Sequence, residues 1–216
     1  LQRAGTNISD YLEFADNFYQ TCLDSENAST LAAYLEPDET QTNSTYENLN
    51  IHSSFDRITW GTLDMKLEKE AVPVIKDMNE TTCSIYLTYV LSDTPEDETT
   101  DYYNVTDFYR MRYAQSRVML LDFERNTQEL YDGKHTELTS KGINLGVADK
   151  DVQYQSNKSS DIVAFVQEGE LWSYNRSANK ATQIFSFRDG DLDERENLQE
   201  HGIKIVRVEE SGDIDF

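Results

Sequence analysis

Apolar residues recur at helical spacing near the start of the chain, where Tyr11, Phe14, Ala15, Phe18 and Cys22 share one face. Asp10, with Glu13 three residues on, reads as a capping box opening that helix, and the polar stretch 24–27 closes it. A short second helix is expected over 29–36, with Leu31, Ala32 and Leu35 on one side and Pro37 as its stop. Residues 38–50 are polar and read as a loop. From Phe55 the period changes to two, giving candidate strands at 58–67 and 71–75. Pro73 cannot donate to a ladder, so the second of these needs an edge position or a bulge. The stretch 82–91 is β-branched and aromatic throughout and reads as a strand. Residues 92–101 are acidic, contain Pro95 and read as a solvated loop. A hairpin is expected from 109–113 and 117–123, and 124–126 is expected to turn into a further strand at 127–131.

The last quarter alternates more clearly. Residues 161–167, 171–175 and 181–187 read as a three-stranded antiparallel meander with turns at 168–170 and 177–180. Trp60 and Trp172 are expected as core anchors. The pair 118–131 repeats the strand–turn–strand rhythm of 171–187 and hints at a repeat. A further unit begins at 203–208, turns at Ser211, Gly212 and Asp213, and reaches Phe216 inside a strand. An unpaired edge at that point leads to the expectation of a piece cut from a longer protein. The pattern predicts an α+β chain: a helix pair packed on a curved antiparallel sheet over 1–133, then a β-meander region over 134–216.

Charge narrows the partners. Nineteen Lys and Arg against 41 Asp and Glu give the 216 residues a net charge of -22, with a pI near 4.3. Nucleic-acid affinity comes mainly from cations on phosphate, so nucleic acid is not an expected partner, and anionic membrane surfaces are disfavoured for the same reason. No stretch is long and apolar enough to cross a bilayer as a helix. Cys22 and Cys83 either pair as one disulfide in an oxidising compartment or sit as small buried apolar residues. Seven Asn-x-Ser/Thr sequons, at Asn7, Asn27, Asn43, Asn79, Asn104, Asn157 and Asn175, read either as glycan acceptors or as a polar, turn-rich surface.

Two resemblances follow from quoted residues. The opening, Phe14-Ala-Asp-Asn-Phe-Tyr-Gln followed by Leu31-Ala-Ala-Tyr-Leu-Glu-Pro-Asp38, resembles the start of nuclear transport factor two-like domains. The resemblance implies a long helix and a short one before a curved sheet, with a cone-shaped cavity for small ligands. Some members of that family are enzymes with a buried Asp–His pair, whereas here the opening helices hold no His and His52 falls in a polar stretch. Residues 161–187, with Gly169-Glu-Leu-Trp172 at the first turn, look like one blade of the propellers of periplasmic and dipeptidyl-peptidase-type proteins. The chain is too short for a full propeller behind its helices, so the resemblance implies a partial one.

Candidate sites are few. Asp189, Asp191, Asp193, Asn197 and Glu200 stand at oxygen-ligand spacings of a calcium loop, although Glu194 replaces the Gly of its sharp turn; a solvated acidic loop is the competing reading. Tyr102, Tyr103, Tyr109 and Tyr113, with Phe108, form an aromatic cluster beside the acidic loop. They could stack on a sugar or a cation, or could be cross-strand packing pairs. Phosphate loops, Cys/His metal clusters and nucleophile elbows are absent from the sequence. The expectation is a noncatalytic extracytoplasmic region of a larger bacterial membrane-anchored or surface protein, without a cofactor unless calcium. It would serve in ligand binding, sensing or scaffolding, with a protein, small molecule or carbohydrate as partner. The alternatives are a secreted glycoprotein carrying a small ligand in a barrel or cone, and a fragment of an enzyme with active residues beyond Phe216.

Overall fold

Helix α1 (Ile8–Leu23) buries Tyr11, Ala15, Phe18, Tyr19 and Cys22; of the face read from the sequence Phe14 is only half-buried, and Tyr19 joins it. The computed structural model describes residues 7–24, 26–38, 45–94, 100–133, 138–139, 142–146, 151–187 and 201–216. The helix starts earlier than expected. Asn7 is its N-cap and no side chain caps it, so the Asp10–Glu13 capping box does not form its beginning. Asp10 lies in the first turn, where its charge faces the positive end of the helix dipole. The α-helix expected over 29–36 is a 3-10 helix (Ala28–Tyr34). Its buried pair, Ala28 and Leu31, sits three residues apart, the spacing that a three-residue turn places on one side.

Strand β1 (Asn48–Asn50) lies inside the stretch read as a loop. Helix α2 (Phe55–Ile58) and the turn after it replace the first half of the strand expected at 58–67. Trp60 and Gly61 both adopt left-handed backbone, with φ of 64° and 60°. The chain therefore reverses there, and Ile58 and Trp60 reach the core through a helical turn and a reversal rather than by alternation. Strands β2 (Lys66–Met78), β3 (Thr82–Asp93), β4 (Asp101–Ala114) and β5 (Arg117–Glu129) join β1 in a five-stranded sheet of order β1-β5-β4-β3-β2. Pro73 does lie on an edge strand, and three register shifts interrupt the pairing of that strand with β3. The β4–β5 hairpin turns through Gln115 and Ser116, both at positive φ (53° and 60°).

Residues 124–126 do not turn. They continue β5 because β1 pairs along them, Asn48 with Asn126, Leu49 with Arg125 and Asn50 with Glu124. The strand–turn–strand rhythm of 118–131 is therefore one strand, and the likeness to 171–187 is lost. On the inner face of the sheet, Phe18 of α1 packs against Tyr109 and Phe123, at ring separations of 5.5 and 5.2 Å, and Tyr19 lies 4.9 Å from Tyr89. The Tyr11 hydroxyl donates to the Thr81 carbonyl at 2.8 Å and accepts from the Tyr113 N–H at 2.9 Å, pinning the helix to both strands.

The chain divides into two compact units, Leu1–Thr127 and Gln128–Phe216. In the second, small strands β6 (Leu138–Thr139) and β7 (Gly142–Ile143) pair with each other. Strands β8 (Gln153–Ser156), β9 (Ile162–Gln167), β10 (Glu170–Asn175) and β11 (Lys180–Ser186) form an antiparallel meander of order β11-β10-β9-β8. Three of these were legible; β8, exposed along its length, carries no apolar signal. Phe165, Trp172 and Tyr174 pack with Tyr131 on one face. Gly133, at φ 73°, lets the backbone approach Trp172, and a Cβ there would meet the indole at 3.0 Å. Ala164 and Leu171 on the other face pack with Ile205 and Val208. The segment carrying Ile205 is held by side chains: Gln155 donates to its carbonyl and Gln153 accepts its N–H, both at 3.0 Å. Strands β12 (Arg207–Val208) and β13 (Ile214–Asp215) pair as a hairpin. The described residues thus combine helix with mostly antiparallel sheet, and no sheet among them closes into a barrel.

Candidate functional site

Two polar assemblies stand on opposite faces of the five-stranded sheet. The inner one is built around Arg125 and Asp107, both side chains fully buried. Arg125 Nε donates to Asp107 Oδ1 at 2.7 Å and Nη2 to Oδ2 at 2.8 Å, a bidentate pair. Nη1 donates to the Ile58 carbonyl at 2.7 Å, and Nη2 lies 3.8 Å from Cys22 Sγ. Asp107 Oδ2 also accepts from the hydroxyls of Tyr89 and Tyr109, at 3.0 and 2.9 Å. The guanidinium carbon sits 4.8 Å from the Trp60 ring and 5.3 Å from that of Phe123.

Burial works against the charge of Arg125, but the Asp107 carboxylate outweighs it and holds the guanidinium ionised. Burial pushes the Tyr89 and Tyr109 hydroxyls well above the ordinary phenol range, with Asp107 adding to the shift. It also pushes the Cys22 thiol up to about 11, despite the opposing pull of Arg125. Four donors reach the two oxygens of Asp107, three on Oδ2 and one on Oδ1, and fix the carboxylate in place. The assembly locks the core. Its members come from five elements: Cys22 from α1, Ile58 from α2, Tyr89 from β3, Asp107 and Tyr109 from β4, and Arg125 from β5.

The outer face carries a groove of about 440 Å³. Tyr86 and Phe108, directly opposite on β3 and β4, form its aromatic wall with ring centroids 5.1 Å apart. Asn48, Asn50, Glu124 and Asn126 line the other side, supplied by the β1–β5 pairing, and Thr106 stands between. Asn126 Nδ2 donates to Asn48 Oδ1 at 3.0 Å, and Asn50 Oδ1 accepts the His52 N–H at 2.9 Å, so the amides are held in place. Lys76 reaches over the aromatic wall, its ammonium 2.8 Å from the Tyr86 hydroxyl and 4.8 and 5.7 Å from the Tyr86 and Phe108 ring centroids. The arrangement offers two half-buried ring faces, fixed amides and an exposed carboxylate.

The tyrosine cluster expected to bind ligand is not assembled as a platform. Tyr109 is fully buried against Asp107, and Tyr103 and Tyr113 pack against the core. Tyr102, 40% exposed, precedes Tyr103 by one residue and so points to the opposite face. Tyr103, Tyr109 and Tyr113 share the inward parity of β4 and pack inward. Cys22 and Cys83 are both buried free thiols, which corrects the disulfide reading in favour of the apolar one. The proposed calcium ligands Asp189, Asp191, Asp193, Asn197 and Glu200 lie outside the described residues. Among the described residues no group of His, Cys, Asp and Glu is arranged to hold a metal, and no helix is long and apolar enough to cross a membrane. Trp60 and Trp172 are core residues, 2% and 7% exposed.

Several sequon asparagines are committed to the fold. Asn157, 4% exposed, accepts the N–H groups of Asp161 and Ile162 and donates to Ser159 and Glu210. Asn104 is 6% exposed. Asn79 accepts from Thr81 and Thr82 in the β2–β3 turn, and Asn175 accepts from Ala178 in the next hairpin. No family model matches the chain, and neither does any curated protein or solved structure. The inner pair escaped the sequence reading although a signal existed. Asp107 follows the inward parity of Val105, Tyr109 and Met111, and Arg125 that of Phe123 and Thr127. The groove residues Glu124 and Asn126 were read as turn formers because they are polar, whereas they are the solvent-facing half of a strand.

Proposed function

We propose that the N-terminal unit is a noncatalytic binding module, and that the outer groove takes a polar ring ligand of carbohydrate type. The observation that carries this reading is the Tyr86–Phe108 wall beside Asn50, Glu124 and Asn126. Flat aromatic faces stack on the C–H face of a sugar ring, while amides and a carboxylate take its hydroxyls. The order of long helix, short helix and antiparallel sheet supports the nuclear transport factor two-like resemblance, with one change. Here the face under the helix holds rings and the buried Asp107–Arg125 pair, where catalytic members of that family use Asp with His. His52 instead lies with Nδ1 2.9 Å from the Glu36 carbonyl. The four-stranded β8–β11 meander supports the blade-like reading of the second unit.

In this reading the chain belongs to a larger extracytoplasmic, bacterial surface or membrane-anchored protein. The structural use of Asn79, Asn104, Asn157 and Asn175 favours unmodified asparagine over the glycoprotein alternative, and intact-mass measurement on native material checks it. The binding test is a saccharide panel followed by saturation-transfer NMR and calorimetry. At least one mono- or oligosaccharide should bind saturably, and Phe108→Ala should weaken it about tenfold with the melting temperature little changed. Absence of binding across the panel, or full affinity in Phe108→Ala, would remove carbohydrate from the groove.

A further inference from the structure

Cations are scarce in this chain, 19 against 41 acidic residues, yet they gather next to the groove. Arg110 and Arg112 are exposed on β4, alternating with Tyr109 and Met111, which are fully buried. Their side chains therefore stand on the outer face, where Arg110 pairs across from Ser84 and Arg112 from Thr82. On β5 the alternation changes phase at Asp122 and Phe123; before that point Val118 and Leu120 pack against the core, so Met119 and Leu121, 37% and 38% exposed, share that outer face. Arg117 is exposed at the start of the strand. Among the described residues, none of these three arginine side chains has an ion-pair or hydrogen-bond partner. The adjoining strands carry the carboxylates of Asp77, across from Ser84, of Asp122, which follows Leu121, and of Glu124 in the groove. In a chain this acidic, three arginines without a carboxylate leave a cationic face unpaired.

We infer that this end of the sheet docks an extended segment of a partner protein in which acidic and apolar residues alternate. Arg110 and Arg112, two residues apart on one strand, are separated by roughly 7 Å, which matches carboxylates at alternate positions of an extended chain. Guanidinium groups take such carboxylates in two-point contacts. Met119 and Leu121 beside them ask for apolar side chains, which an acidic polysaccharide or a nucleic acid does not offer. The surface does not depend on the saccharide reading of the groove.

The test uses the whole chain and a fluorescein-labelled peptide alternating Glu with Val, followed by fluorescence anisotropy with no saccharide present. Saturable binding is expected, about tenfold weaker in the Arg110→Glu/Arg112→Glu double variant and weaker at high salt. Arg176→Glu, a charge reversal at one exposed arginine of the second unit, should leave it unchanged, and the Lys–Val counterpart peptide should not bind. Where the double Glu variant loses its native circular dichroism, Arg110→Gln/Arg112→Gln carries the comparison. The proposal fails if the native chain does not bind the acidic peptide, if the Lys peptide binds equally, or if Arg176→Glu loses as much. It fails too if sedimentation shows a dimer of this chain that the double variant dissolves, because the face would then belong to a second copy.

Discussion

Replacing Arg125 by Met while Asp107 remains leaves a carboxylate stranded in the interior, and the expected loss of stability is about 3–5 kcal/mol. Removing both charges, as Asp107→Leu with Arg125→Met, should cost less than that single change, and urea unfolding of the three variants against the native chain measures the difference. A second residue-scale expectation concerns alkaline pH. Cys22 ionises near 9.0 when unfolded and at about 11 in the fold, so the folded chain keeps its proton longer. The Cys22 contribution to stability should be level below about pH 9 and fall by about 2–3 kcal/mol as pH rises to 11, with Cys22→Ala lacking that share of the loss. The raised hydroxyls of Tyr89 and Tyr109 add to the fall at higher pH. None of this was legible from composition, since one Asp among 41 acidic residues attracts no notice. What marks Asp107 is its place on the inward parity of a strand, which could have been read by asking which charged residues break an apolar alternation.

At the scale of elements, sequence reading succeeded where one face is apolar and failed where backbone geometry decides. The α1 face and the alternation of β3 were legible because burial repeats at the period of the element. Helix α2 was not, because the left-handed turn at Trp60 needs tertiary contacts to hold a bulky residue at positive φ. The β4–β5 hairpin shows the same strain at Gln115 and Ser116, where Asn-Gly suits a turn of this hand. Gln115→Asn with Ser116→Gly should raise stability by about 1 kcal/mol, read as a higher melting temperature with unchanged strand content. Strand β8 was missed for a different reason: glutamine side chains, rather than an apolar face, hold the neighbouring segment to it.

For the whole molecule, a net charge of -22 sets a background of self-repulsion. Thermal midpoints measured at rising sodium chloride should therefore increase, most steeply at low salt, as screening reduces repulsion among exposed carboxylates. The inner pair resists such screening because both its partners are withdrawn from water. Its placement also bears on how the first unit comes apart. One guanidinium, carried on β5, bonds to groups of two helices and of the neighbouring strand β4, so detaching any one of them exposes a charge to a half-dismantled interior. Piecemeal fraying is thereby penalised, and amide protons in α1, β3, β4 and β5 near this cluster should exchange with deuterium in a single slow class, released together when the unit opens.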